Sequence, residues 1–138
     1  MPDTWTPTFD LSDLKKVAEK NDKADAEIAI IKEQIAKCEM GNFMKRRLPY
    51  ITSAIALCEY EKMRRTKHFV VKNTCVGCGL CEKKCPDHVI VMKDRKPVWT
   101  KEQCTMCLGC LHRCPKFAIQ YDNRTQKHGQ YRHPDTKI

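Results

Sequence analysis

The sequence predicts an α+β chain: a helical N-terminal half over residues 1–67, followed by a pseudo-twofold pair of strand–loop–strand units over 68–138. Three observations predict it. Apolar residues recur at helical spacing through the first half; a cysteine pattern occurs twice at an offset of 29 residues; and short β-branched or aromatic runs flank each copy.

Taken in order, residues 1–10 hold Pro2 and Pro7 and read as an extended arm, with Trp5 and Phe9 expected to pack onto the domain or dock onto a partner. Leu11, Leu14, Val17 and Ala18 predict a short helix over 11–20, capped by Asp10 or Ser12 and interrupted at Asn21-Asp22. A second helix is expected over 24–39. Its stripe of Ile28, Ile31, Ile35 and Cys38 opposes Lys32, Glu33 and Lys37, and Gly41-Asn42 supplies a stop. A third helix falls within 43–65, with Pro49 in its first turn and Ile51, Ala54, Ile55 and Cys58 as its buried face. Its cationic end, Lys62 to Lys67, suits the negative pole of a helix; the basic cluster reads as a solvated helix end, with docking of an acidic partner or nucleic acid as the other readings. Cys38 and Cys58 are expected to be small buried hydrophobes.

The second half reads as strand His68–Val71, cysteine loop, strand Val89–Met92, turn Lys93–Lys96, lead-in Pro97–Trp99, cysteine loop, and strand Phe117–Tyr121. Residues 122–138 read as a polar tail. Each loop has the form C-x2-C-x2-C-x3-C-P: Cys75, Cys78, Cys81, Cys85 and Pro86, then Cys104, Cys107, Cys110, Cys114 and Pro115. This is the bacterial iron–sulfur run, and it implies [4Fe–4S] clusters held by thiolates. Gly77, Gly79 and Gly109 are expected to let the backbone wrap closely around the sulfurs. Zinc modules instead present separated cysteine pairs. His112, between Cys110 and Cys114, reads as a helix-surface residue, and His88 and Met106 as residues filling in around the clusters.

Ten cysteines in 138 residues would also suit a disulfide framework, but no basic region followed by an apolar core opens the sequence. A reducing cytoplasm is the expected compartment. No apolar run reaches membrane-spanning length. The formal charge is +9, divided as −3 over residues 1–39, +5 over 40–67 and +7 over 68–138. Such a surface speaks to partners, redox proteins with acidic docking faces being expected, and not to fold.

Through Cys75–Pro86 and Cys104–Pro115 the chain resembles bacterial-type two-cluster ferredoxins. The resemblance implies a ferredoxin-like (βαβ)2 domain and low-potential one-electron transfer. In two-cluster ferredoxins the fourth cysteine ligates the other cluster. That implies Cys75, Cys78, Cys81 and Cys114 at one [4Fe–4S] cluster, and Cys104, Cys107, Cys110 and Cys85 at a second. A looser resemblance rests on the Met1–Trp5 arm, the helical segment, His68–Val71, Lys96–Trp99, Cys114–Tyr121 and Gly129-Gln130-Tyr131. It is to the C-terminal part of flavodoxin–ferredoxin fusion proteins of anaerobic bacteria. It implies a flavodoxin domain or flavoprotein as partner, although these residues include no phosphate-binding loop for FMN.

The function expected is that of an electron carrier and not an enzyme: all eight motif cysteines are consumed as ligands, and no separate acid–base or nucleophile constellation accompanies them. The alternatives are an electron-transfer subunit of a larger flavin or redox complex and, less expected, a basic nucleic-acid-binding module.

Overall fold

The computed structural model describes residues 4–41 and 50–132, with nothing stated of the side chains of 50–53. Two long helices, α1 (Leu14–Ala36) and α2 (Tyr50–Met63), precede four short strands and two one-turn helices. These are β1 (Phe69–Val71), α3 (Leu80–Lys83), β2 (Ile90–Lys93), β3 (Lys96–Trp99), α4 (Gly109–His112) and β4 (Ile119–Tyr121). The α+β class holds. No described helix is long and apolar enough to cross a membrane.

The strands form two antiparallel ribbons. β1 pairs with β4 in the register Phe69↔Tyr121, and β2 pairs with β3 in the register Ile90↔Trp99. Asp94 and Arg95 join β2 to β3 with φ of 47° and 62°, the geometry of a two-residue primed turn matching the strand twist. The core comprises Phe69, Met106, Leu108, Leu111, Ile119 and Tyr121, with Trp5, Tyr60, Met63 and Trp99 packed against it. Phe69 stacks on Trp99 at 5.0 Å between centroids and meets Tyr121 edge-on at 5.5 Å. Trp5 thus packs as expected, whereas Phe9 remains 43% exposed.

Several expectations are corrected. The two helices foreseen over 11–39 are one. Asn21 and Asp22 do not break it, because Asn21 Oδ1 accepts a hydrogen bond from Tyr131 Oη at 2.7 Å instead of competing for the local backbone. Asp13, not Asp10 or Ser12, caps α1, accepting from the amides of Lys15 and Lys16. The helix stops before Gly41: Cys38 takes the left-handed conformation (φ 52°) and donates to Ile35 O while Glu39 N–H reaches back to Gln34 O, the paired bonds of a Schellman end. The described residues of the α1 and α2 stripes are not buried, Ile51 being outside them. Ile28, Ile31, Ile35 and Ile55 are all at least half exposed, and Cys38 and Cys58 are exposed thiols, because no described element covers them. Phe43–Pro49 lie outside the described residues.

Residues 122–132 are not a loose tail. Thr125 is fully buried, its Oγ1 accepting from Tyr121 N–H and donating to Gln120 Oε1. His128 Nδ1 donates to Thr6 O, and Gln130 Nε2 donates to the carbonyls of Leu111 and Cys114. Nor is His112 a surface residue. It is 7% exposed, donates from Nε2 to Thr4 O and accepts at Nδ1 from Tyr131 N–H, so a neutral ring ties the N-terminal arm and this strap to α4. Burial holds its pKa below the ordinary 6.5.

Candidate metal centre

Each motif is carried the same way. Cys75 and Cys78 lie on the loop after β1, Cys81 falls in α3, and Cys85 follows it; Cys104 and Cys107 lie after β3, Cys110 falls in α4, and Cys114 follows. The repeat extends to the backbone. Gly77 and Met106 occupy matching positions and have φ of 67° and 53°; Gly79 and Leu108 match at 72° and 55°, and His88 and Phe117 at 50° and 47°. The left-handed turns needed to wrap the loop are glycine in the first copy and large apolar residues in the second, where burial of Met106 and Leu108 offsets the steric cost. Gly109 serves by close approach and not by a left-handed turn: its φ is not positive, and a Cβ there would crowd Arg113 Nη1 at 3.2 Å and touch Cys107 Sγ at 3.5 Å. Met106 is buried as expected, whereas His88 is exposed.

Two cavities result. Cys75, Cys78, Cys81 and Cys114 line the first, with Val76, Leu80, Met92, Pro97 and Ile119 as apolar wall. Cys85, Cys104, Cys107 and Cys110 line the second, with Phe69, Val89, Ile90, Trp99 and Leu108. Each therefore gathers three sulfurs from one motif and one from the other. Among the described residues no three His, Cys, Asp or Glu side chains converge on a point where a single metal ion would sit. Four soft sulfur donors around an apolar cavity match the donor chemistry of an iron–sulfur cluster.

The electrostatics agree. Burial pushes the Cys81, Cys104 and Cys110 thiols up, Cys110 most strongly, and neighbouring cysteines add to each shift. A bare thiolate is disfavoured there, so a positively charged metal centre is what would hold these sulfurs ionised. Amides already point at two of the eight motif sulfurs: Met106 N–H to Cys104 Sγ at 3.3 Å, and Ala118 N–H to Cys114 Sγ at 3.2 Å.

Residues 74–119 match the family described as the 4Fe-4S dicluster domain. Across that third of the chain it is similar to ferredoxin-like iron–sulfur domains, and its motifs are those of iron–sulfur electron transport. One subunit of an ion-translocating oxidoreductase complex from Methanosarcina acetivorans is 33% identical over 64 residues, 46% of this chain and 24% of that protein. An uncharacterized polyferredoxin-like protein of Methanocaldococcus jannaschii is 40% identical over 50 residues, 36% of this chain and 21% of that protein. The chain thus spans about a quarter or less of the length of these relatives.

One surface groove is not evident from the sequence. Hydrogen bonds from Thr66 N–H to Glu102 O and from Thr66 Oγ1 to Lys101 O lock the turn after α2 onto the strand-to-loop junction after β3. Arg65, Lys67, Trp99 and Lys101 then line an open groove of about 650 Å³, with Glu102 as the one acidic residue among the described lining. Trp99 lines both this groove and the second cysteine cavity. The cationic cluster at the end of α2 is legible in sequence, but its partner Lys101 comes from a distant segment.

Proposed function

We propose that this protein is a one-electron carrier with two [4Fe–4S] clusters, one held by Cys75, Cys78, Cys81 and Cys114 and the other by Cys104, Cys107, Cys110 and Cys85, in a pseudo-twofold (βαβ)2 domain. The observation that carries the reading is the crossed grouping of four cysteines around each cavity. A [4Fe–4S] cluster supplies reversible one-electron chemistry when bound. The chain's own residues set its conditions: apolar walls exclude water, and the amides of Met106 and Ala118 stabilise negative charge on sulfur. No acid–base work is assigned to the protein, so the carrier is not itself an enzyme.

The basic groove beside Trp99 suits a redox partner with an acidic face, since it presents three cations and one carboxylate next to the second cavity. Similarity to a subunit of an oxidoreductase complex favours a second reading, a module delivering electrons within a larger assembly. A flavodoxin-type donor is the partner that the resemblance of the N-terminal segment suggests.

Anaerobic reconstitution with iron and sulfide tests the proposal. The expected result is about eight irons per chain and a reducible paramagnetic signal. Cys114→Ser is expected to perturb the cluster of the first motif, and Cys85→Ser that of the second. One zinc per site with no reducible centre, or each substitution acting only on its own motif's cluster, would overturn it.

A further inference from the structure

We propose that the C-terminal half of α1 is a self-association stripe that packs in parallel against the same helix of further copies of this chain. The stripe stands open: α1 has no buried residue, and Ile28, Ile31 and Ile35 are 51%, 50% and 70% exposed. The first half of the helix is fixed to the iron–sulfur body through Asn21 and Tyr131, so the free stripe begins after Asn21. From there Ala24, Ile28, Ile31 and Ile35 recur at alternating four- and three-residue steps, the seam of a left-handed coiled coil.

Charge identifies the occupant. Glu27 and Lys32 flank the seam on opposite sides. They stand five residues apart, outside the three- and four-residue spacing at which side chains meet on one helix. In a parallel bundle that spacing brings Glu27 of one copy against Lys32 of the next, and by symmetry the pair repeats at every interface. The seam is thus complementary to itself. Isoleucine at three of the four seam residues, on both heptad positions, shifts the preference from two helices to three or four.

The test is the mass of the holoprotein by sedimentation equilibrium in reducing, anaerobic solution, which needs no redox partner and so stands apart from the proposed electron transfer. The expected result is a concentration-dependent rise from the 16.1 kDa chain to a trimer or tetramer. Ile31→Lys is expected to leave a monomer that keeps its visible absorbance, which shows the body still folded. Glu27→Lys is expected to weaken association about tenfold by turning each attraction into a repulsion, and Glu27→Lys with Lys32→Glu to restore it. A chain monomeric at every concentration, or association that survives Ile31→Lys, would overturn the proposal. So would failure of the double exchange, which would exclude a parallel seam.

Discussion

Gly77→Ala and Gly79→Ala separate conformational cost from steric cost within one loop. Both glycines are left-handed, with φ of 67° and 72°. Placing any side chain on such backbone costs about 1–2 kcal/mol. At Gly79 nothing lies within 4 Å of an added Cβ, so that cost stands alone. At Gly77 the methyl would stand 2.7 Å from Arg95 O and 2.9 Å from Arg95 Cβ. Arg95 belongs to the two-residue β2–β3 turn, whose φ angles are themselves positive, so its backbone cannot retreat without opening the hairpin. Overpacking of this kind adds about 1–3 kcal/mol, for a total of about 2–5 kcal/mol. The excess of Gly77→Ala over Gly79→Ala is therefore about 1–3 kcal/mol, or roughly 5- to 150-fold in a rate. The assay is anaerobic bleaching of the visible absorbance at fixed denaturant, with far-ultraviolet circular dichroism in parallel. Equal bleaching rates for the two variants would refute the steric argument.

Thr125→Val keeps the side-chain shape but leaves Tyr121 N–H and Gln120 Oε1 unpaired inside the body, and is expected to cost about 2–4 kcal/mol in denaturant unfolding. Tyr121→Phe removes the 2.8 Å bond to Met63 O, with an expected loss of about 1 kcal/mol and faster amide exchange at the end of α2. Asp13→Ala is expected to fray the first turn of α1, seen as lost protection of the Lys15 and Lys16 amides. Because those amides hold the Asp13 carboxyl below its usual 3.8, the wild-type cap is intact above that pH and is lost as the pH falls through the depressed value, which amide shifts would follow. Removing iron with a chelator is expected to abolish the fold around residues 69–121 while α1 keeps its helical signal; unchanged dichroism would count against clusters as the organising element.

The second half of the chain is legible because its signals are local. Cysteine spacing, β-rich runs and a turn near Lys93–Lys96 each fix a short segment, and the three expected strands appear within two residues of their bounds, while the lead-in Pro97–Trp99 proves to be part of strand β3, paired with β2. What fails is the inference from pattern to burial. Ile28, Ile31, Ile35 and Cys38 mark one face of a helix correctly, but periodicity does not say whether a neighbour covers that face, and here none of the described elements does. The opposite error arises at the C-terminal end. Thr125, His128 and Gln130 are polar and suggest a solvated segment, yet they bury themselves by bonding to Tyr121 N–H, Thr6 O and the carbonyls at the end of α4. Left-handed backbone at Met106 and Leu108 is invisible because only glycine announces that conformation in sequence.

The two cysteine loops share a geometry but not an anchorage. Met106 and Leu108 root the second loop among Phe69, Leu111 and Ile119, whereas Gly77 and Gly79 give the first no side chains to insert there. Opening the second loop means extracting two large, buried hydrophobic side chains; opening the first uncovers only the exposed Val76 and the half-buried Leu80. Local opening is therefore expected at the first loop before the second.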